Sequence, residues 1–170
     1  MKQILKYILA QVMENLHFAE GKHNISITLS SAVIVFAASQ FSLYTRLGAV
    51  FASCAIVACA ESLFCSFSAM SSRKIRWFHA FKKSEKAKNL IYFQDASTFD
   101  EETYIKKIQT DYSLPKSYKP DGFDNDLARQ IIATSKVAKI KFRLFNAALT
   151  FLALAICFVV TSIVVSQVLK

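Results

Sequence analysis

The sequence is poor in the two residues that most often interrupt helices, with three glycines and two prolines among 170 residues. It also lacks four common signatures of catalytic or nucleotide-binding sites: GxSxG, the P-loop GxxxxGK[ST], GxGxxG and HExxH. The scarcity of glycine and proline favours long helices. The missing signatures exclude the enzyme classes that depend on them, so we predict that the protein is not an enzyme and needs no cofactor.

Cysteine is present, but not in a metal-binding pattern. Cys54, Cys59, Cys65 and Cys157 form no CxxC pair, and no histidine stands near them at ligand spacing. All four lie inside apolar blocks, where a cysteine packs as a small apolar residue. We therefore predict neither a metal site nor a redox site.

Apolar residues are abundant: they make up 54% of the chain, fifteen of them are phenylalanine, and the mean hydropathy is +0.32. They form three long blocks. Ile25–Leu43 contains nineteen residues and no charge, Leu47–Met70 contains the single charge Glu61, and the third block is Leu144–Leu169. Each block is long enough for a helix that crosses about 30 Å of hydrocarbon. The sequence therefore predicts three membrane spans, the first two forming a hairpin.

The net charge of +9 is unevenly distributed along the chain. Sixteen of the 21 lysines and arginines lie in Ser71–Arg143. By the positive-inside rule this segment is cytoplasmic, which places the N-terminus in the cytoplasm and the C-terminus on the opposite side of the membrane of a multi-pass protein. The predicted division is 1–24 as an N-terminal amphipathic helix, 25–70 as a transmembrane hairpin, 71–143 as a cytoplasmic basic segment and 144–170 as the third transmembrane helix.

The polar parts of the chain carry helical patterns as well. Apolar pairs recur about every four positions in residues 2–20, which predicts an amphipathic helix that lies on the bilayer surface or packs on other helices. In the cytoplasmic segment, Asn89–Gln94 is interpreted as a strand or a docking segment. Thr98–Glu101 is interpreted as a capping box that opens a helix. Asp124 is predicted to cap a helix that continues unbroken into the third span, so the expected fold is an all-α membrane protein.

Glu61 is the residue that most needs an explanation. An acid near the middle of a bilayer costs about 2.5–3.5 kcal/mol on insertion scales, so it usually faces a bundle interior or a water path. Ser30, Ser31 and Thr150 are predicted at comparable depth and are candidate hydrogen-bond partners. Two interpretations stay open: Glu61 joins the helices by hydrogen bonds, or it lines a path across the membrane in a homo-oligomer.

The basic segment also allows two interpretations. Its lysines can bind the anionic surface of the lipid bilayer. Alternatively, it forms a pocket for an anionic ligand, in which Tyr92, Phe93 or Tyr104 stacks on a base and Lys88 contributes a positive charge. Nucleic acid is not an expected partner, because no DNA-binding motif is visible.

Five short motifs resemble the transmembrane effectors of Pycsar, a bacterial antiphage system in which a cyclase makes a cyclic pyrimidine mononucleotide. The motifs are FAEGK at 18–22, NLIYF at 89–93, EETY at 101–104, DLARQI at 126–131 and KIK at 139–141. The resemblance implies a protein that stays silent until cyclic CMP or cyclic UMP appears during infection. It would then impair inner-membrane integrity and stop the cell before the phage matures.

Two functions of different classes follow from these observations. The first is a ligand-triggered effector that disrupts the membrane as a homo-oligomer. The second is a small, non-enzymatic scaffold subunit of a membrane complex, with neither pore nor ligand. Glu61 favours the first, because a scaffold has no need for an acid in the middle of a span.

Overall fold

The computed structural model of the chain describes residues 1–71, 89–115 and 117–169. Helices account for 85% of these residues, and no strand occurs among them. The elements are α1 (Lys2–Ser39), a 3-10 helix (Phe41–Leu43), α2 (Arg46–Met70), α3 (Phe93–Ala96), α4 (Glu101–Asp111) and α5 (Gly122–Val168). The predicted all-α class is confirmed, and so is the uninterrupted helix that leads to the end of the third apolar block.

The chain divides into two compact units. The first unit comprises Met1–Ala19 and Arg73–Phe142, and the second comprises Glu20–Ser72 and Arg143–Lys170. Because α1 and α5 are long, each contributes residues to both units.

The first unit has a core of aliphatic and aromatic side chains. The start of α1 contributes Leu5, Ile8 and Val12, which are fully buried at the three- and four-residue spacing of one helix face. Helices α4 and α5 contribute Ile108 and Ile131, which are also fully buried. Of the two placements predicted for residues 2–20, the structure shows packing on other helices.

The start of α4 differs from the prediction by two residues. Its N-cap is Asp100, whose carboxylate accepts a hydrogen bond from the backbone N–H of Thr103 at 3.0 Å. The predicted capping box with Thr98 at its head is therefore wrong. The Thr98 hydroxyl instead donates to the carbonyl of Asp95 at 2.7 Å, which closes the short α3 turn.

The segment Asn89–Gln94 is not a strand. The backbone N–H of Asn89 donates to the Asp95 carboxylate at 3.0 Å, and the Asn89 side chain accepts from the N–H of Ile91 at 2.9 Å. These local bonds bend the chain, as asparagine and aspartate commonly do. Leu90 and Phe93 are thereby turned into the core of the first unit.

The start of α5 carries a reciprocal pair of aspartates. The Asp121 carboxylate accepts from the backbone N–H of Asp124 at 2.9 Å, and the Asp124 carboxylate accepts from the N–H of Asp121 at 3.2 Å. This is the geometry of a capping box, with Asp121 at the cap and Asp124 three residues into the helix. The prediction that Asp124 is the cap is wrong, because Asp121 offers the same chemistry one turn earlier.

Three further side chains hold this helix start in the first unit. The Lys2 ammonium lies 2.7 Å from the Asp121 carboxylate and 5.7 Å from the centre of the Phe123 ring. The Tyr118 hydroxyl donates to the Asp124 carboxylate at 2.6 Å. The hydrogen bond with Lys2 holds the pKa of Asp121 below its usual value, and the bond to Asp124 raises the pKa of Tyr118 to about 12.

In the second unit, α2 packs through a stripe of small side chains. Seven of its eight buried residues follow an alternating spacing of four and three residues: Gly48, Ala52, Ala55, Cys59, Ser62, Ser66 and Ala69. Helix α5 has the same spacing in Ala148, Leu152, Ala155, Val159, Ser162 and Ser166, all buried. Small residues at such positions let helix backbones approach closely, as they do in membrane-embedded bundles.

At Gly48, α2 comes into close contact with α5. The Ser162 hydroxyl donates to the carbonyl of Gly48 at 2.7 Å, and the backbone N–H of Thr45 donates to the Ser166 hydroxyl at 3.2 Å. A Cβ atom at position 48 would overlap the Ser166 hydroxyl and lie 3.1 Å from the carbonyl oxygen of Ser162. Only glycine leaves this space free.

Two of the described helices, α2 and α5, are long and apolar enough to cross a membrane. The first predicted span, Ile25–Leu43, is only partly helical, because α1 ends at Ser39 and the chain tightens into the 3-10 helix. The helical part of the predicted span, 25–39, continues the preceding part of α1, which begins at Lys2. The prediction of one continuous helical span at 25–43 is therefore wrong at its C-terminal end.

We expect Asp121→Asn to lower the melting temperature by a few degrees at pH 7, because asparagine still caps the helix but loses the ion pair with Lys2. A folded-state pKa below the unfolded value adds stability above the unfolded pKa, and that stability disappears as the pH falls through the folded pKa. The difference between the two proteins should therefore shrink below about pH 4. Circular dichroism of detergent-solubilised protein measures this.

The matched control is Asp126→Asn, because Asp126 is 75% exposed and makes only a long contact of 3.8 Å with Arg129. It should have the same melting temperature as the wild type at pH 7 and below about pH 4. An Asp121→Asn deficit that stays constant down to pH 2 would contradict the ion-pair explanation.

We expect Gly48→Ala to destabilise the protein by about 1–3 kcal/mol, the usual cost of overpacking a tight contact. Gly21→Ala is the matched control, because a Cβ atom at position 21 has no atom within 4 Å. That substitution should be neutral or stabilising by roughly 0.5–1 kcal/mol, since Gly21 lies inside α1. Equal melting temperatures for the two variants in detergent would show that the approach at Gly48 is not a constraint.

Candidate functional site

Two of the aromatic residues predicted to bind a base are part of the core of the first unit. Tyr104 is fully buried and its hydroxyl donates to the carbonyl of Leu90 at 2.8 Å. Burial raises the pKa of Tyr104, so the phenol stays protonated and keeps that bond. Phe93 is also buried and stacks on Phe142, with ring centres 5.0 Å apart. Neither ring offers a free face at the surface.

The remaining predicted ligand residues have different positions. Tyr92 is 45% exposed and lies beside Phe93, with ring centres 5.1 Å apart. Lys88 lies outside the described residues. The structure does not gather Tyr92, Phe93 and Tyr104 around one pocket, and their role in ligand binding stays a prediction.

An open cleft of about 270 Å³ lies elsewhere in the first unit, where the start of α4 faces α5. Its lining combines an aromatic ring, two acids, two cations and an apolar floor, contributed by Phe99, Asp100, Glu101, Arg129, Ile132, Ala133 and Lys136. Asp100 is committed to capping α4, so its carboxylate is held at the edge of the cleft. Four of the seven lining residues are charged, so the cleft suits a charged ligand better than the apolar ligands that most small-molecule pockets bind.

Arg129 is held in the cleft by a two-pronged ion pair. Its Nε donates to one carboxylate oxygen of Glu101 at 3.1 Å, and its Nη2 donates to the other at 3.3 Å. The Glu101 carboxylate raises the pKa of Arg129, which therefore stays charged. Because Arg129 is 68% exposed, water screens the pair and its contribution to stability is small.

Lys136 follows Arg129 by seven residues, which places both on one face of α5. Its side chain is exposed and makes no hydrogen bond or ion pair with any other residue that the structure describes. This pair of cations was not predicted from the sequence, because nothing local links Arg129 and Lys136 to Phe99. The seven-residue spacing of Arg129 and Lys136 on a predicted helix was the available signal.

Glu61 lies on the exposed face of α2, within the second unit. Its neighbour Ser62 is the residue that enters the buried stripe, where it accepts from Ser30 at 2.9 Å and lies 3.4 Å from the Ser26 hydroxyl. Thr150, one predicted partner of Glu61, donates to the carbonyl of Asn146 instead. The predicted hydrogen bonds from Ser30 and Thr150 to Glu61 are therefore wrong, since the helix turns Ser62 inward.

The exposed face around Glu61 is otherwise apolar. Val57 and Phe64, one turn before and nearly one turn after Glu61, are 62% and 69% exposed. No described residue of the chain makes a hydrogen bond or ion pair with Glu61. The acid thus lies alone in an outward-facing apolar surface.

Metal chemistry has no candidate site in residues 1–71, 89–115 and 117–169. No group of three or more histidine, cysteine, aspartate or glutamate side chains there could hold a metal ion. The four cysteines are all unpaired, two of them exposed and one buried.

The sequence profile of the Pycsar effector protein domain, PycTM, matches residues 4–166 of the 170-residue chain. This range includes all of the apolar helix α2 and all but the last two residues of the apolar helix α5. No curated protein and no solved structure matches the chain. The resemblance found in the five short motifs is confirmed, and the chain belongs to the PycTM family of Pycsar antiphage effectors.

Proposed function

We propose that the protein is an inner-membrane effector that a cyclic pyrimidine mononucleotide, cyclic CMP or cyclic UMP, triggers to disrupt the membrane and abort phage infection. Membership of the Pycsar effector family supports the defence role and implies activation by a cyclic nucleotide. The two apolar helices support a location in the membrane. The charge distribution of the sequence favours a cytoplasmic N-terminus and a periplasmic C-terminus.

The observation that carries the membrane-disrupting role is the outward position of Glu61. In a single chain within lipid, this carboxyl group would face hydrocarbon, at a cost of about 2.5–3.5 kcal/mol on insertion scales. The buried stripe of α2 cannot relieve that cost, because Ser62 and not Glu61 points into it. A second copy of the chain packed on the exposed face would shield the acid.

Self-association also provides a route through the bilayer. The described helices of the second unit contact one another through small side chains, and three helices are too few to enclose an aqueous channel of their own. Several copies arranged around one axis would bring their Glu61 side chains together. A ring of carboxylates in such an assembly favours cations.

We expect Glu61→Gln to insert and oligomerise like the wild type but to lose membrane depolarisation or cation selectivity when cyclic CMP or cyclic UMP is added. Glutamine keeps the size and hydrogen-bonding capacity of glutamate and removes its charge. Depolarisation is followed with a potential-sensitive dye in vesicles that contain the purified protein.

Two variants give the matched comparison. Ser53→Ala changes another exposed residue of α2 whose hydroxyl bonds only to its own helix, so it should depolarise like the wild type. Glu61→Leu should disturb assembly if the acid acts as a hydrogen-bonding contact between chains. Full depolarisation with unchanged selectivity in well-folded Glu61→Gln protein would refute the path through Glu61.

The proposed topology makes a separate prediction. A reporter fused after Lys170 should be active in the periplasm, and a reporter inserted near Pro120 should be active in the cytoplasm. If both reporters are active on the same side, the three-span arrangement is wrong.

A further inference from the structure

We propose that the cleft formed by Phe99, Glu101, Arg129, Ile132 and Lys136 is the site that binds the cyclic mononucleotide. The class of ligand is taken from the proposed function, on which this inference rests. The location of the binding site is argued from the structure. In it, Lys136 and Arg129 hold the phosphodiester, and the base lies against Phe99.

The cations are suited to one phosphodiester group. Arg129 and Lys136 are seven residues apart on α5, a separation of about 10 Å along the helix axis that two long side chains can close. Arg129 presents a planar fork of donors that matches two phosphate oxygens, and Lys136 adds a mobile point charge. Lys136 has no partner in the described part of the chain, so its charge remains available for a ligand.

Phe99 forms a firm aromatic wall beside these charges. Its ring packs on Tyr104 with centres 5.5 Å apart, and Tyr104 is itself fully buried and hydrogen-bonded. Phe99 is only half-buried, so part of the ring faces the cleft. A pyrimidine can stack on that surface in a sequence-tolerant manner, because every base has a π face. Ile132 closes the floor and excludes water from below.

The cleft is of a size that suits one small ligand. Its volume of about 270 Å³ lies just below the 300–1,000 Å³ typical of pockets for drug-sized molecules. One pyrimidine nucleotide is suited to this space, whereas a cyclic dinucleotide has two bases and twice the number of phosphates. The second base and second phosphate of a cyclic dinucleotide would extend beyond these lining residues and gain no contact from them.

Glu101 competes with an incoming anion for Arg129. In the structure its carboxylate occupies the Nε and Nη2 donors of Arg129, the same kind of fork that a phosphodiester needs. A nucleotide phosphate that binds there must displace Glu101 and release it from α5. Removing the charge of Glu101 should therefore tighten nucleotide binding, because it removes both the competing ligand and its repulsion of the phosphate.

The experiment is isothermal titration calorimetry of the full chain in detergent micelles, with cyclic CMP, cyclic UMP and cyclic di-GMP as the probes. The wild type should bind at least one of the two mononucleotides, and cyclic di-GMP at least tenfold more weakly. Lys136→Gln should weaken mononucleotide binding about tenfold, the usual scale for loss of a charge-assisted contact. Phe99→Leu, which keeps an apolar side chain but removes the π face, should weaken it several-fold. Glu101→Gln should tighten it.

Lys106→Gln is the matched control. Lys106 is an exposed lysine of α4 that does not line the cleft, so its removal changes the net charge of the first unit equally. It should bind within about twofold of the wild type, because water and salt screen distant charges. Circular dichroism of each variant establishes that the helices are intact.

Two results would overturn the assignment in different ways. If the wild type binds a cyclic mononucleotide and Lys136→Gln binds it no more weakly than Lys106→Gln does, the site lies elsewhere while the proposed function survives. If the wild type binds neither mononucleotide at concentrations up to about 100 μM, the protein does not sense the nucleotide directly. The proposed site is then refuted as well. Weaker binding by Glu101→Gln would refute competition for Arg129.

Discussion

The second unit depends on how closely α2 can approach α5, and that distance is set by the absence of a side chain at Gly48. Because no Cβ atom intervenes, the Ser162 hydroxyl donates a hydrogen bond to the Gly48 carbonyl, and the Ser166 hydroxyl accepts one from the backbone N–H of Thr45. Away from this point, buried residues recur on both helices at alternating intervals of four and three. In lipid, where no hydrophobic effect drives helices together, such packing and hydrogen bonding are the main sources of association.

The first unit is held together by different physics. Its core is aliphatic and aromatic, and ordinary burial of apolar surface stabilises it. The polar groups lie at helix starts, where Asp100, Asp121 and Asp124 satisfy backbone N–H groups that would otherwise lack partners. The ion pair between Glu101 and Arg129 is exposed and therefore weak, so Arg129 can exchange it for another anionic partner at little cost.

The features that depend on long sequence patterns were predicted correctly. The features that depend on which of two nearby residues takes a role were not. The apolar blocks predicted the helical class and the full course of α5. Both helix caps were misassigned, because Thr98 and Asp100, or Asp121 and Asp124, offer similar chemistry to the backbone and only the fold chooses between them. The cleft was missed because Phe99 and Arg129 meet through tertiary contacts that no local spacing encodes.

The position of Gly48 has a consequence for the orientation of α2 about its own axis. Adjacent residues on a helix point about 100° apart, so a turn of one residue would carry Glu61 toward the place that Ser62 now occupies. The same turn would bring the side chain of Leu47 to the spot where even one Cβ atom overlaps Ser166. Gly48 therefore fixes the rotation of α2 about its own axis. Because α5 can pack only against the face that carries Gly48, Ser62 stays buried and Glu61 stays exposed.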